Sequence, residues 1–330
     1  MSEFDIIEAD AVTQEVTSTK ARKGRPLPTA CYACGTEVVG PYCYQCGQKN
    51  DDCRRSILKL GWEGIADLFT VDGRVFRTLS SVTLRPGRHV RSYGDGRRSP
   101  YSPPVRFFLV ITALFFATLW ATDTHLVTLR PDVEINDDGS ISLKQIQGGL
   151  LQRVDVTPYT DEEREALRSR LTDDSDAEVH LMNRDVTLRA IVDNAISIAE
   201  NPTSFNSALN DWIPRLMIIL IPLMALLSAL FIRGRDALIY DHLLVSLNTH
   251  AMAFLVLTVG LWTSAFLPSR IMAFAFFIGV PIYYLIAMKG AFRRGWFKTT
   301  FATLFVFFIY AIVLTISLSM AAVASFTTTI

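Results

Sequence analysis

IPRLMIILIPLMALLSALFI, residues 213–232, opens a stretch that runs to Ala324 and decides the architecture. Three more apolar runs follow it at short intervals, over 243–267, 271–288 and 300–324. A hydrocarbon core about 30 Å thick takes roughly 20 apolar residues at helical rise, and backbone groups inside it must pair with each other. Each run meets that length with no charge at its middle. Residues 213–324 therefore read as a membrane block of four transmembrane helices. Pro222 and Pro281 fall inside runs and predict kinks, because membrane helices can re-satisfy the carbonyls a proline frees.

Working outward, a fifth apolar run covers 105–122 and predicts the first transmembrane helix. Arg106 and Arg215 lie near the ends of their runs, where a long side chain is expected to snorkel to the interface. Half of the residues are hydrophobic, which excludes a disordered chain. The formal net charge of zero hides unlike parts: residues 20–106 hold 16 Lys+Arg against 7 Asp+Glu, and residues 123–211 hold 8 against 18. The joints of the membrane block alternate as well. Arg233 and Arg235 precede the third helix, Arg270 alone follows it, and Lys289, Arg293, Arg294 and Lys298 precede the fifth. Short basic joints stay on the cytoplasmic side. The pattern predicts a cytoplasmic N-terminus, an extracytoplasmic region over 123–212, and an extracytoplasmic tail over 325–330. No cleavable signal peptide is legible, so the first membrane helix is expected to direct insertion.

All five cysteines fall in the part placed in the reducing cytosol, which favours metal over disulfide. Cys31-Tyr-Ala-Cys34-Gly and Cys43-Tyr-Gln-Cys46-Gly form two Cys-x-x-Cys knuckles. They supply the four thiolates of a tetrahedral structural zinc and leave no open position for a catalytic water. Each trailing glycine lets the chain turn back toward the sulfurs. A zinc ribbon over 31–50 is the reading, against a redox dithiol or two disulfides. Ribbons of this kind grip proteins, so a protein partner is expected there. Nucleic acid is disfavoured for want of a dense basic and aromatic surface. Cys53 has no partner at ligand spacing.

Residues 1–30 are polar and read as a disordered tail, with Lys20, Arg22, Lys23 and Arg25 as a solvated charge run. Over 56–104 two amphipathic helices are expected. One carries Leu58, Trp62, Ile65, Leu68 and Phe69; the other carries Phe76, Leu79 and Val82 with Arg74, Arg77 and Arg85 around them. They either lie in the leaflet, with basic residues on anionic membrane lipids, or pack as a collar on the membrane helices. Between Tyr93 and Pro104, Arg97 and Arg98 stand in a glycine-bearing turn. A phosphate or lipid head-group contact is one reading and a plain turn with snorkelling arginines the other.

Several stretches together resemble a known family. Cys43-Tyr-Gln-Cys46-Gly-Gln, Phe76-Arg-Thr-Leu79, Arg85-Pro86-Gly87, Gly96-Arg97-Arg98 and Tyr101-Ser-Pro103 before a membrane helix look like domain of unknown function 3667. Asn201-Pro-Thr-Ser-Phe205, Ile221-Pro222-Leu, and Tyr240-Asp241-His242-Leu243 with His250 are similar too. The resemblance fades between Asp123 and about Glu200. It implies a multi-pass protein of a bacterial inner membrane and carries over no catalytic residue.

In the outer region, 126–129 and 141–143 bracket Asp137-Asp138-Gly139 and predict a β-hairpin; the aspartates lack the ligand spacing of a calcium loop. Thr160 with Glu163 predicts a helix start, 186–199 has helical periodicity, and a helix near Phe205 is expected to run into the second membrane segment. His125 and His180 read as surface residues.

Asp241, His242, Asn248 and His250 gather at the start of the third transmembrane helix. Polar groups there raise a functional hypothesis, such as a proton relay or a lined path. His242 and His250 are two turns apart, roughly 12 Å, and cannot share one metal ion by themselves. The structural alternative puts Asp241 and His242 at the water boundary and makes Asn248 and His250 interhelical packing contacts. No Ser-His-Asp set, glycosidase carboxylate pair or His-Glu zinc motif is legible.

These readings predict an all-α polytopic membrane protein of five transmembrane helices, with a cytoplasmic four-cysteine zinc ribbon, amphipathic interfacial helices and a small mixed α/β extracytoplasmic insertion. Three function classes stay open. First is a non-enzymatic adaptor that holds a cytoplasmic protein by its ribbon. Second is a transporter or lipid-handling protein using the polar face of the third helix, for which a homo-oligomer could supply the missing repeat. Third is a membrane enzyme acting on a lipid or polyprenyl substrate.

Overall fold

The computed structural model describes residues 29–50, 73–135, 141–152, 178–181, 184–187, 202–234, 237–264 and 266–328. The expected N-terminal tail, the first amphipathic helix, Cys53, the hairpin tip and the helix opened by Thr160 fall wholly or almost wholly outside them. The chain divides into two units, Met1–Arg54 and Arg55–Ile330.

The described part of the first unit, residues 29–50, is built from one short motif used twice. Gly35 N–H donates to the Cys31 carbonyl and Cys31 N–H to the Thr36 carbonyl, each at 2.8 Å. Twelve residues on, Gly47 N–H donates to the Cys43 carbonyl and Cys43 N–H to the Gln48 carbonyl at the same 2.8 Å. Gly35 (φ 78) and Gly47 (φ 70) hold the left-handed conformation that folds each knuckle back. Antiparallel bridges Ala30↔Glu37 and Tyr42↔Lys49 close the two loops.

Among its described residues the second unit carries five helices long and apolar enough to cross a membrane. The first of the described elements are two short helices, α1 (Arg74–Leu84) and α2 (Arg88–Gly94). Then come α3 (Pro104–Ala121), α4 (Pro202–Phe231), α5 (Ile239–Thr263), α6 (Ser269–Phe274) and α7 (Val280–Phe292), and last α8 (Trp296–Thr328). A π-helical turn, Ala275–Gly279, joins α6 to α7, so the two form one span. It stands just ahead of Pro281, whose ring would crowd a regular preceding turn, and it absorbs that misfit.

α4 begins well before the apolar run at 213, as the Phe205 reading anticipated. Its N-terminal turns meet a hairpin of β1 (His125–Ile135) and β2 (Ile141–Gln152), antiparallel with a register shift between Asp132 and Val133. The bulge falls beside Pro131, which has no N–H to give the ladder. Asn210 on α4 clamps β1: its Oδ1 accepts from the Leu126 and Val127 amides at 2.9 and 3.1 Å, and its Nδ2 donates to the Val127 carbonyl at 2.8 Å. A second hairpin pairs β3 (Glu178–Leu181) with β4 (Arg184–Thr187). Val186 and Thr187 thus belong to a strand, not to the helix that periodicity assigned from 186; strand pairing outweighs a local helical pattern.

The spans alternate in direction. Leu126 beside Asn210 brings the end of α3 to the start of α4, and Ala321 packs with Phe205 and Leu209, placing the far part of α8 at that same end. At the opposite end the Arg294 guanidinium donates to the Arg233 carbonyl at 3.4 Å, joining the α4–α5 and α7–α8 connections. Inside, Phe115 stacks on Phe254 at 4.9 Å within the core shared by α3 and α5.

Candidate functional site

In the first unit the sulfurs of Cys31, Cys34, Cys43 and Cys46 all lie within 4.8 Å of one another. Cys31 stands 3.6 Å from Cys46 and Cys34 3.5 Å from Cys43. A tetrahedron with metal–sulfur bonds of about 2.3 Å has sulfurs about 3.8 Å apart, so the set is close to what a metal ion takes and could hold one. The duplicated knuckle produces this closeness, since each loop turns both of its thiols to the same side. Thr36 links the loops, donating from its hydroxyl to Gln45 at 2.8 Å and accepting from the Cys34 thiol at 3.3 Å. That hydroxyl, seconded by the Thr36 backbone, draws the Cys34 pKa down to about 6, whereas burial pushes Cys46 up to about 12. A bound dication would ionise all four. Tyr32, Val39, Tyr42 and Tyr44 of this unit are exposed.

The polar residues at the start of α5 do not converge on one point. Asp241 caps its own helix, accepting from the Leu238 amide at 3.0 Å. His242 is fully buried instead of lying at a water boundary. Its Nε2–H donates to the Ile232 carbonyl at 2.9 Å, its Nδ1 accepts from the Ser228 hydroxyl at 2.8 Å, and its ring stacks on Phe292 at 4.4 Å. The imidazole thus closes the end of α4, whose last carbonyls have no helical partner. His250 Nδ1–H donates to the Ser246 carbonyl and its Nε2 accepts from the Tyr310 hydroxyl of α8, both at 2.8 Å. Ser246 in turn donates to the Ile221 carbonyl at 2.7 Å. Asp241 thus serves its own helix, whereas His242, Ser246 and His250 reach in three directions, as interhelical contacts within a membrane do.

Asn248 exposes a residue that sequence reasoning missed. Its amide oxygen lies 3.3 Å from Nδ1 of His89 on α2, a histidine 1% exposed and edged by the rings of Tyr93 and Tyr101. His89 follows Arg85-Pro-Gly-Arg88 and reads locally as part of a basic surface. Only the proline–glycine turn before it hints at a tight approach. Arg106 is likewise 1% exposed, so the guanidinium expected at the interface is enclosed where α3 begins. Arg215 is exposed and lies 5.1 Å over the Trp212 ring, as an interfacial arginine should.

Arg97 and Arg98 sit in the turn that ends α2. The amides of Asp95, Gly96 and Arg97 donate to the carbonyls of Arg91, Tyr93 and Ser92. Those N–H groups, which a phosphate cradle would need, are spent on the helix end, and Arg97 offers only its exposed side chain.

A family model described as a protein of unknown function (DUF3667) matches residues 72–116. No curated protein and no solved structure matches the chain. The matched segment comprises α1, α2, their turns and most of α3, and thus holds Gly87, His89, Arg97, Arg98 and Arg106 together.

Proposed function

We propose that this chain is a non-enzymatic adaptor of a bacterial inner membrane, in which the four cysteines hold a structural zinc and the resulting ribbon binds a cytoplasmic protein. The observation that carries the reading is the mutual fit of the four sulfurs within 4.8 Å. A unit this small has almost no apolar core, so metal binding, on the order of 10 kcal/mol or more, would supply most of its folding energy. Its exposed Tyr32, Val39, Tyr42 and Tyr44 are then available to a partner. All four sulfurs would serve as ligands, which would leave the metal no position for substrate.

The membrane unit supports a scaffold by the way its polar groups are spent. His242, Asn248 and His250 bond to Ser228, His89 and Tyr310 on other helices. The end of the bundle bearing Arg85, Arg88, Arg233, Lys289, Arg293, Arg294 and Lys298 is the one expected to face the cytoplasm. Five alternating spans then leave the C-terminus outside.

The test compares the intact chain with a Cys31→Ser/Cys34→Ser form, both purified in mild detergent, with zinc, proteins and lipids quantified. About one zinc per chain and a stoichiometric protein, lost together in the variant, are expected. A zinc-loaded chain with no protein but a selectively retained small molecule would overturn the adaptor reading and return attention to His242 and His250.

A further inference from the structure

A helix packed on a water-soluble protein turns its apolar side inward. α1 does so only in part: Val82 is buried and Val75 and Leu79 pack against the core, but two large apolar side chains face outward. Its buried residues are Thr78, Ser81 and Val82, whereas Phe76 is 71% and Leu84 77% exposed. Phe76, Ser80 and Leu84 are spaced four apart and form one outward stripe. Arg74, Arg77, Arg85 and Arg88 flank it, all exposed, and no acidic residue occurs between Gly73 and Gly94.

The inward hydroxyls fix the depth at which this stripe lies. Thr78 Oγ1 donates to the Arg74 carbonyl and accepts from the Ser102 amide, each at 2.8 Å. Ser102 is two residues before the first span, so α1 is held at the level where that span begins. Its far end is held as well, because Gly87 packs backbone to backbone on Gly290 near the end of α7. At the start of α8 Trp296 is exposed, with the ammonium of Lys289, on α7, 5.1 Å from its ring centroid. Tryptophan beside lysine is the side-chain pairing of a membrane–water boundary.

We propose that α1 is an interfacial helix that sets Phe76 and Leu84 into the acyl region and binds anionic lipid headgroups through Arg74, Arg77, Arg85 and Arg88. The apolar stripe and the exposed arginines around it are the two signals that such binding requires. A protein helix covering the same stripe would meet four arginines around two apolar side chains, a poor match for a dry interface. A leaflet rich in phosphate matches both features. This inference is independent of the ribbon and of its metal.

The experiment uses the full chain. Purified protein is equilibrated with an equimolar mixture of phosphatidylglycerol and phosphatidylcholine, and retained lipid is counted by native mass spectrometry. The intact chain is expected to retain phosphatidylglycerol in several-fold excess, and the excess to shrink as salt is raised. An R74Q/R77Q/R85Q/R88Q variant with an unchanged thermal midpoint should lose most of it. An undiminished excess in that variant overturns the proposal. Should the variant not fold, a photo-crosslinking amino acid at position 76, and separately at 84, decides in intact membranes: lipid adducts uphold the interfacial placement, and a discrete protein adduct overturns it.

Discussion

Gly87 and Gly290 meet with no room for a side chain on either. A Cβ at Gly87 would strike the Ala287 carbonyl oxygen and stand 2.7 Å from the Ala291 amide nitrogen; one at Gly290 would strike the Pro86 carbonyl oxygen. Gly87 also holds φ at +84, which costs an L-residue roughly 1–2 kcal/mol by itself. Gly87→Ala is therefore expected to lower the thermal midpoint in detergent sharply, the strain adding to an overpacking cost of about 1–3 kcal/mol. Gly290→Ala gives the cleaner sign. Within a helix that exchange ordinarily gains about 1 kcal/mol, so a fall in the midpoint isolates the collision. Gly279→Ala, in helical backbone with open space around it, serves as the comparison without a collision.

That contact also explains what the sequence did not disclose. The five spans were legible because length and apolarity are local properties, and the knuckles because ligand spacing is local. The hairpin was legible from the apolar stretches 126–129 and 141–143 on either side of the Asp137-Asp138-Gly139 sequence. His89 was not, since its burial depends on α2 being drawn onto α5 and α7 by a glycine pair far apart in sequence. α1 failed in the same way. Spacing put Phe76, Leu79 and Val82 on one face, yet Phe76 points outward because Thr78 is tied to Ser102. One of the two readings of His242 put it at a water boundary because it begins an apolar run; the Ile232 carbonyl and the Phe292 ring meet it in a buried position instead.

His89 gives the membrane unit an acid sensitivity of definite sign. Burial draws its pKa down to about 4 from an ordinary 6.5, against weaker upward pulls from Asn248 and the Ser102 backbone. Unfolded chains take up this proton below pH 6.5, while folded ones stay neutral there until about 4. Its contribution is thus complete above pH 6.5 and is lost as the pH falls toward 4, by roughly 3 kcal/mol across the window. Thermal midpoints in detergent at pH 7.5, 6 and 5 should decline more steeply for the intact chain than for His89→Gln. Equal slopes would remove this account.

The two units should respond separately to metal removal. Chelation is expected to make the segment over residues 29–50 susceptible to protease, since few contacts beyond the metal would hold it. Cobalt added to the chelated chain should restore protection and develop the visible bands of a tetrahedral thiolate site. The melting midpoint of the membrane unit should stay within error of the untreated value. A Cys46→Ser chain that still binds cobalt with the same spectrum would show that the four sulfurs do not act as one set.

His250 and Tyr310 allow packing to be told from function. The ring is fixed in one neutral tautomer, Nδ1–H on the Ser246 carbonyl and Nε2 on the Tyr310 hydroxyl, so it holds α5 against α8 and has no nitrogen left over. Tyr310→Phe removes one donor and leaves Nε2 enclosed without it. The expected loss is about 1 kcal/mol, since interhelical hydrogen bonds in membranes average less than this and an orphaned acceptor adds to it. Adding His250→Ala should cost less than the sum of the single changes, with a coupling of roughly 0.5–1.5 kcal/mol in a double-mutant cycle. Under the scaffold reading, each variant lowers the thermal midpoint yet rescues a deletion strain in proportion to the protein that accumulates. A Tyr310→Phe chain that is stable and abundant but fails to rescue would place this pair on a working path through the membrane.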